Sequence, residues 1–138
     1  MKIRIVLAVL LLLTGCATRK EPPPTPFLGT RWQVVLDIPA AGEAPQVRFG
    51  DGRMEGFGGC NRIAAHYVED VVGARAIAIG RIQSGKRACA PGTQAAEDQI
   101  LEVLQSVSSY TIIGDLMTMS GSGGTLRFRA QGLPAKKP

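Results

Sequence analysis

Beyond Pro26 the chain alternates between apolar and polar positions. Trp32, Val34, Leu36 and Ile38 alternate with Arg31, Gln33, Val35 and Asp37, which predicts a strand with one buried face and Val35 as its only breach. Val47 and Phe49 alternate with Gln46 and Arg48. Gly50-Asp51-Gly52 then turns the chain, and Arg53 to Phe57 returns as the second arm of a hairpin. Gly56, Gly58 and Gly59 interrupt that arm and mark a bulge, a corner or a close backbone approach. Arg62 to Val68 predicts another strand, with Ile63, Ala65 and Tyr67 on one face. Ala76 to Ile82 predicts the next, around Ile77 and Ile79. Tyr110–Ile113, Leu116–Ser120 and Thr125–Arg129 close the chain, separated by turns at Gly114-Asp115 and Gly121–Gly124. Met117 and Met119 are expected to divide between core and surface.

One segment changes period. Ala96, Ile100, Val103, Leu104 and Val107 recur at helical spacing, while Gln94, Asp98, Glu102 and Gln105 lie away from that face. Thr93 suits an N-cap, and Glu97 and Asp98 follow where negative charge favours the helix dipole. Strands without intervening helices exclude a doubly wound parallel fold. The expected class is mainly β (α+β): an antiparallel curled sheet or partial barrel of about seven strands, with one amphipathic helix packed against it.

The start of the chain has a different character. Lys2 and Arg4 precede nine unbroken apolar residues, Ile5–Leu13. That run is too short to span a bilayer, which needs about 20 residues, and it has the form of a secretory leader. Leu13-Thr14-Gly15-Cys16 follows and resembles the lipobox of bacterial lipoproteins. The resemblance implies cleavage before Cys16, a lipid on its thiol and a second acyl group on the new amino terminus. Stable anchoring takes more than one chain, so such an anchor is firm. Ala17–Pro26, with Pro22-Pro23-Pro24 and Pro26, predicts an extended tether. The expected organisation is a leader over 1–15, a lipidated cysteine and tether over 16–26, one domain over 27–130, and a solvated tail over 131–138.

Charge changes this picture little. The chain has 16 basic and 11 acidic residues; loss of Lys2 and Arg4 with the leader leaves 14 basic residues and a formal balance of +3. The arginines are scattered, and only Lys86-Arg87 and Lys136-Lys137 form pairs. Neither a basic stripe nor a nucleic-acid motif is present, so no nucleic-acid partner is expected. The charges suit a solubilising surface with some attraction to anionic lipid or polysaccharide.

Three cysteines occur, Cys16, Cys60 and Cys89. With Cys16 lipidated, an even pair is left in an oxidising compartment, and a Cys60–Cys89 disulfide is expected. The alternative is two buried free thiols. No metal site is expected: there is no C-x-x-C, and His66 is the only histidine. His66 is expected on the outer face of its strand, away from any nucleophile. Glu69-Asp70 and Glu97-Asp98 are expected to be solvated charge rather than paired catalytic carboxylates. No enzyme activity and no cofactor are expected. Asn61, Arg62, Lys86 and Arg87 are the polar candidates for ligand or partner contact. Asn61 is also suited to a structural role at a bulge, and Lys86-Arg87 to an exposed loop tip.

Several segments together resemble the META domain family. Leu28-Gly29-Thr30-Arg31-Trp32 is similar to its opening L-x-G-T-x-W, and Gly56-Phe57-Gly58-Gly59-Cys60-Asn61-Arg62 to its G-x-x-G-C-N signature. Ile79 to Cys89 resembles the block that usually ends T-x-M-A-C, although Ser84-Gly85-Lys86-Arg87 departs from it. Glu97 with Leu104 resembles the E-x-x-x-x-x-x-L that follows, and Tyr110–Ile112 with Leu116–Met119 the closing strands. The resemblance implies a barrel-like sheet with a helix against it and no established catalysis. Within the family, the nearest type is the HslJ-like lipoproteins linked to heat shock. The expectation is a monomeric, non-enzymatic lipoprotein of the bacterial envelope, facing the periplasm from the outer membrane. It would support stress tolerance through contact with envelope proteins or cell-wall material. Two alternatives stand beside it: an inhibitor of lysozyme or a protease that inserts the loop Gln83–Ala90, and a small-ligand carrier with an apolar pocket lined by Trp32 and Phe57.

Overall fold

The computed structural model describes residues 23–70 and 75–132. The leader, Cys16, most of the tether and the tail from residue 133 lie outside them. Among the described residues nine strands and one helix follow in order: β1 Arg31–Val34, β2 Gln46–Gly50, β3 Arg53–Phe57, β4 Arg62–Asp70, β5 Ala76–Ile79, β6 Gln83–Ser84, α1 Pro91–Ser106, β7 Val107–Ile113, β8 Leu116–Gly121 and β9 Gly124–Gln131. Neighbours run β3-β2-β1-β9-β8-β7-β5-β4, and β4 pairs again with β3, so eight antiparallel strands close into a barrel. β6 adds to β4 beside β5. The expected curled sheet with one helix is present, and its edges meet. Closure removes the edges that an open sheet would expose.

The β2–β3 hairpin turns at Asp51-Gly52, both with positive φ, as a two-residue turn of matching twist requires. β1 stops at Val34, earlier than the alternation predicts. The Val35 amide still follows the β9 register, donating to the Arg127 carbonyl at 2.8 Å, but beyond it the chain turns outward, and Ile38 stands 80% exposed just before Pro39. The strand expected over 76–82 is divided. Gly80 donates to the His66 carbonyl, and the Gln105 side chain from α1 bonds the carbonyls of Ile79 and Gly80 and the amide of Ile82. That amide holds the corner between β5 and β6.

Trp32, Phe49, Met54, Leu104, Met117, Met119 and Phe128 have no exposed surface. Both methionines face inward, correcting the expected division: residues two apart on a strand share a face. The Trp32 indole donates to the Phe27 carbonyl at 3.1 Å. Near the β2–β3 turn, the Phe27 ring stacks on Phe49 and Tyr110 at 4.5 Å each, with Tyr67 edge-on. Burial of each large side chain contributes about 1.5–3 kcal/mol. The barrel interior is therefore filled, which counts against an internal carrier pocket lined by Trp32. Phe57 lies on the outer wall.

The helix begins at Pro91, two residues before the expected cap. Ala90 precedes it without a side-chain cap bond, and proline at the first helical position has no amide to satisfy. Its buried residues are Glu97, Ile100 and Leu104, while Ala96 is exposed. The carboxylate, not the alanine, occupies the stripe that faces the barrel.

Candidate functional site

Strands β3 and β4 are joined by Gly58-Gly59-Cys60-Asn61. The turn lies against Glu97, and its glycines are required there. A Cβ on Gly58 would sit 2.7 Å from Glu97 Oε2, and Gly59 has φ +116°. Glu97 is 1% exposed. Its Oε2 accepts the backbone amides of Cys60 at 2.9 Å and Asn61 at 2.6 Å. Its Oε1 accepts the Asn61 side-chain amide at 2.9 Å and the Ser84 hydroxyl at 3.4 Å. The carboxylate is held by N–H and O–H dipoles, and no cation forms an ion pair with it among the described residues. Burial pushes its pKa upward. The bonds from Asn61, the Cys60 amide and Ser84 together outweigh burial, so the carboxyl lies below its usual range. The expectation of solvated charge is corrected at Glu97. It is corrected at Glu69 as well, which is half-buried on β4 and accepts the Tyr110 hydroxyl. Burial first, and then Glu69, raise the Tyr110 pKa.

Asn61 transmits the arrangement outward. It is 3% exposed, and its Oδ1 accepts the Arg87 amide at 2.8 Å. The Gly85 amide donates to the Arg62 carbonyl at 3.1 Å. Cys60 and Cys89 form a disulfide with Cα atoms 6.1 Å apart. Residues 85–90 are thus a strap fastened to the wall at Arg62, Asn61 and Cys60. The Lys86 and Arg87 side chains are exposed on it. All polar groups of Asn61 are taken up internally, whereas Arg62 projects from the outer face of β4.

The outer wall in front of the strap is concave. A hollow of about 810 Å³ is lined by Arg31, Arg48, Phe57, Arg62, Gln83 and Arg87, among others. Arg48 sits opposite Glu55, and Phe57 opposite Arg62, so the lining comes from alternate outward positions of β2, β3 and β4. A second hollow of about 430 Å³ adjoins it through Arg31 and Arg48. Glu97 lies behind this wall, Asn61 lines the hollow from its buried position, and the strap forms the rim. Of the expected contact residues, Arg62, Arg87 and the buried Asn61 line the hollow, whereas Lys86 stands on the rim segment without lining it. Arg31 and Arg48 were missed, their outward positions beside core residues being the available signal; Phe57, expected to line a pocket with Trp32, lines this outer hollow instead.

The arrangement holds a fully engaged carboxylate and offers exposed guanidinium groups. His66 pairs across from Arg53 on the outer wall, remote from the latch. Among the described residues no group of three His, Cys, Asp or Glu side chains could hold a metal.

A closed antiparallel barrel with one helix, its glycine-cysteine-asparagine turn latched to a helical glutamate, defines a small β-barrel domain class. The META domain family model matches residues 25–132, and the chain belongs to that family. No curated protein matches the sequence. Among solved structures, the chain is similar to an NMR structure of a protein from Burkholderia xenovorans. Their TM-score is 0.59 at 20% identity, covering 81% of this chain and 92% of that one. It is also similar to a crystal structure of a DUF4847 family protein from Bacteroides vulgatus. There the TM-score is 0.57 at 15% identity, covering 78% and 96%. At these identities the likeness concerns the fold.

Proposed function

We propose that this chain is an HslJ-like envelope lipoprotein, anchored through Cys16, whose META domain acts by contact rather than by catalysis. It would support envelope stress tolerance by holding cell-wall material or an envelope protein. The observation that carries the contact reading is the arginine-lined hollow on the outer wall of a barrel whose interior is filled. The buried carboxylate, whose environment would otherwise invite a catalytic role, has both oxygens engaged by the turn it holds. Anchoring is supported by the nine-residue apolar run and Leu13-Thr14-Gly15-Cys16. Ala17, in place of an aspartate, favours the outer membrane by analogy with lipoprotein sorting. The inhibitor reading is less well supported, because the strap it would insert is fastened along its length to the wall.

Cys16→Ser tests the anchor. The variant leaves the membrane fraction and appears in the soluble envelope fraction. Sedimentation with membranes to the same extent as the parent chain contradicts it.

A further inference from the structure

We propose that the outer-wall hollow is a binding groove for an anionic glycan, a chain of sugar rings bearing carboxylate or phosphate groups. This deepens the contact-based function and rests on it, since an envelope-facing domain is the one that meets such polymers. The first argument is uncompensated charge. Two acids border the groove against four arginines: Glu55 is paired with Arg53 at 2.7 Å, and Glu43, which keeps its charge, accepts the Gln46 amide at 2.9 Å. Arg31, Arg48, Arg62 and Arg87 have no ion-pair partner among the described residues. The guanidinium fork matches carboxylate and phosphate in a bidentate way.

The second argument is spacing. Arg48 and Arg62 stand on β2 and β4, with β3 between them. Neighbouring strands lie about 4.7–4.9 Å apart and Arg62 stands two residues further along the sheet than Arg48, so their backbones are about 12 Å apart. With Arg31 on β1 and Arg87 on the strap, the guanidinium groups are distributed along the groove, which suits successive charged units of a polymer better than one small anion. The groove also continues past Arg31 and Arg48 into the adjoining hollow, giving it length. The third argument is its floor. The half-buried Phe57 ring lies beside Arg62 and offers an apolar face to the C–H side of a sugar, and Gln83 offers an amide to hydroxyl groups. The 810 Å³ volume falls within the range of about 300–1,000 Å³ typical of ligand sites.

The test is calorimetric titration of the full chain in detergent micelles with four probes. Oligogalacturonate supplies carboxylated sugar, dextran phosphate supplies phosphorylated sugar, unmodified dextran is neutral, and inorganic polyphosphate has charge without sugar. At least one anionic glycan binds, and which one does so identifies the recognised group. Arg48→Ala and Arg62→Ala each weaken that binding about tenfold. Phe57→Ala weakens glycan binding and leaves polyphosphate binding unchanged. Both arginines are exposed, so their variants keep the parent unfolding midpoint, which is checked by circular dichroism. Absence of binding to both anionic glycans overturns the proposal. So does binding of dextran as tight as the charged glycans, wild-type affinity in both arginine variants, or a Phe57→Ala effect shared equally by polyphosphate. Fractionation of Cys16→Ser does not involve these ligands, so anchor and groove fail separately.

Discussion

Replacing Glu97 with alanine lowers the unfolding free energy by about 3–5 kcal/mol. The substitution removes the acceptor of the Cys60 and Asn61 backbone amides and of the Asn61 side-chain amide. Each buried donor left without a partner costs about 1–3 kcal/mol, partly relieved where water enters. Domains of this size have only about 5–15 kcal/mol in all, so the variant is marginal. Glu97→Gln keeps the volume but turns an N–H₂ group toward donors, and its loss is smaller, about 2 kcal/mol. Chemical denaturation at neutral pH measures both. A loss under about 1 kcal/mol for the alanine variant would contradict the latch.

The same group sets an acid dependence. The folded-state pKa of Glu97 lies below its ordinary value. On acidification the unfolded chain therefore takes up this proton first. The stabilisation is complete above the ordinary glutamate pKa of about 4.3 and is lost as pH falls through the folded value. Glu97→Gln removes that part of the acid sensitivity, which denaturation midpoints across the acid range detect.

Trp32→Ala costs about 3–5 kcal/mol through a different mechanism. Trp32 is 0% exposed inside the closed barrel, and its indole holds the Phe27 carbonyl. Alanine leaves a cavity that neighbouring strands cannot close, because their register is fixed on both sides: Trp32 faces Val47 on β2 and Ala130 on β9. Trp32→Phe refills much of the space and recovers part of the loss. Urea titration of the two variants distinguishes cavity formation from a general fold defect, and near-equal losses would contradict the packing argument.

The barrel was legible wherever one face of a strand is buried. Val47 and Phe49 against Gln46 and Arg48, followed by Asp51-Gly52, specify the hairpin that is found. The helix was legible in its apolar residues and misread in its polar one. Glu97, Ile100 and Leu104 stand at positions i, i+3 and i+7, so spacing alone puts the glutamate on the buried stripe. Apolarity favoured Ala96, which points to solvent, because a carboxylate is rarely buried without a cation. Here backbone amides from a turn distant in sequence take that place, and periodicity does not register them. Barrel closure depends on the pairing of β3 with β4 and of β1 with β9, contacts that local alternation cannot specify. The groove was hidden for a related reason. Arg31, Arg48 and Arg62 are scattered along the chain and converge only when β1, β2 and β4 share one wall.

The central physical claim is that Glu97 holds the Cys60-Asn61 turn and, through Asn61, the strap that rims the groove. Amide hydrogen exchange tests it most directly, comparing the parent chain with Glu97→Gln under native conditions. The account predicts protected amides at Cys60, Asn61 and Arg87 in the parent chain. It predicts faster exchange at these three in the variant, by a larger factor than the global loss of stability speeds Phe49 and Phe128 in the barrel core. Rapid exchange at Cys60 and Asn61 in the parent chain, or undiminished protection in the variant, would contradict it.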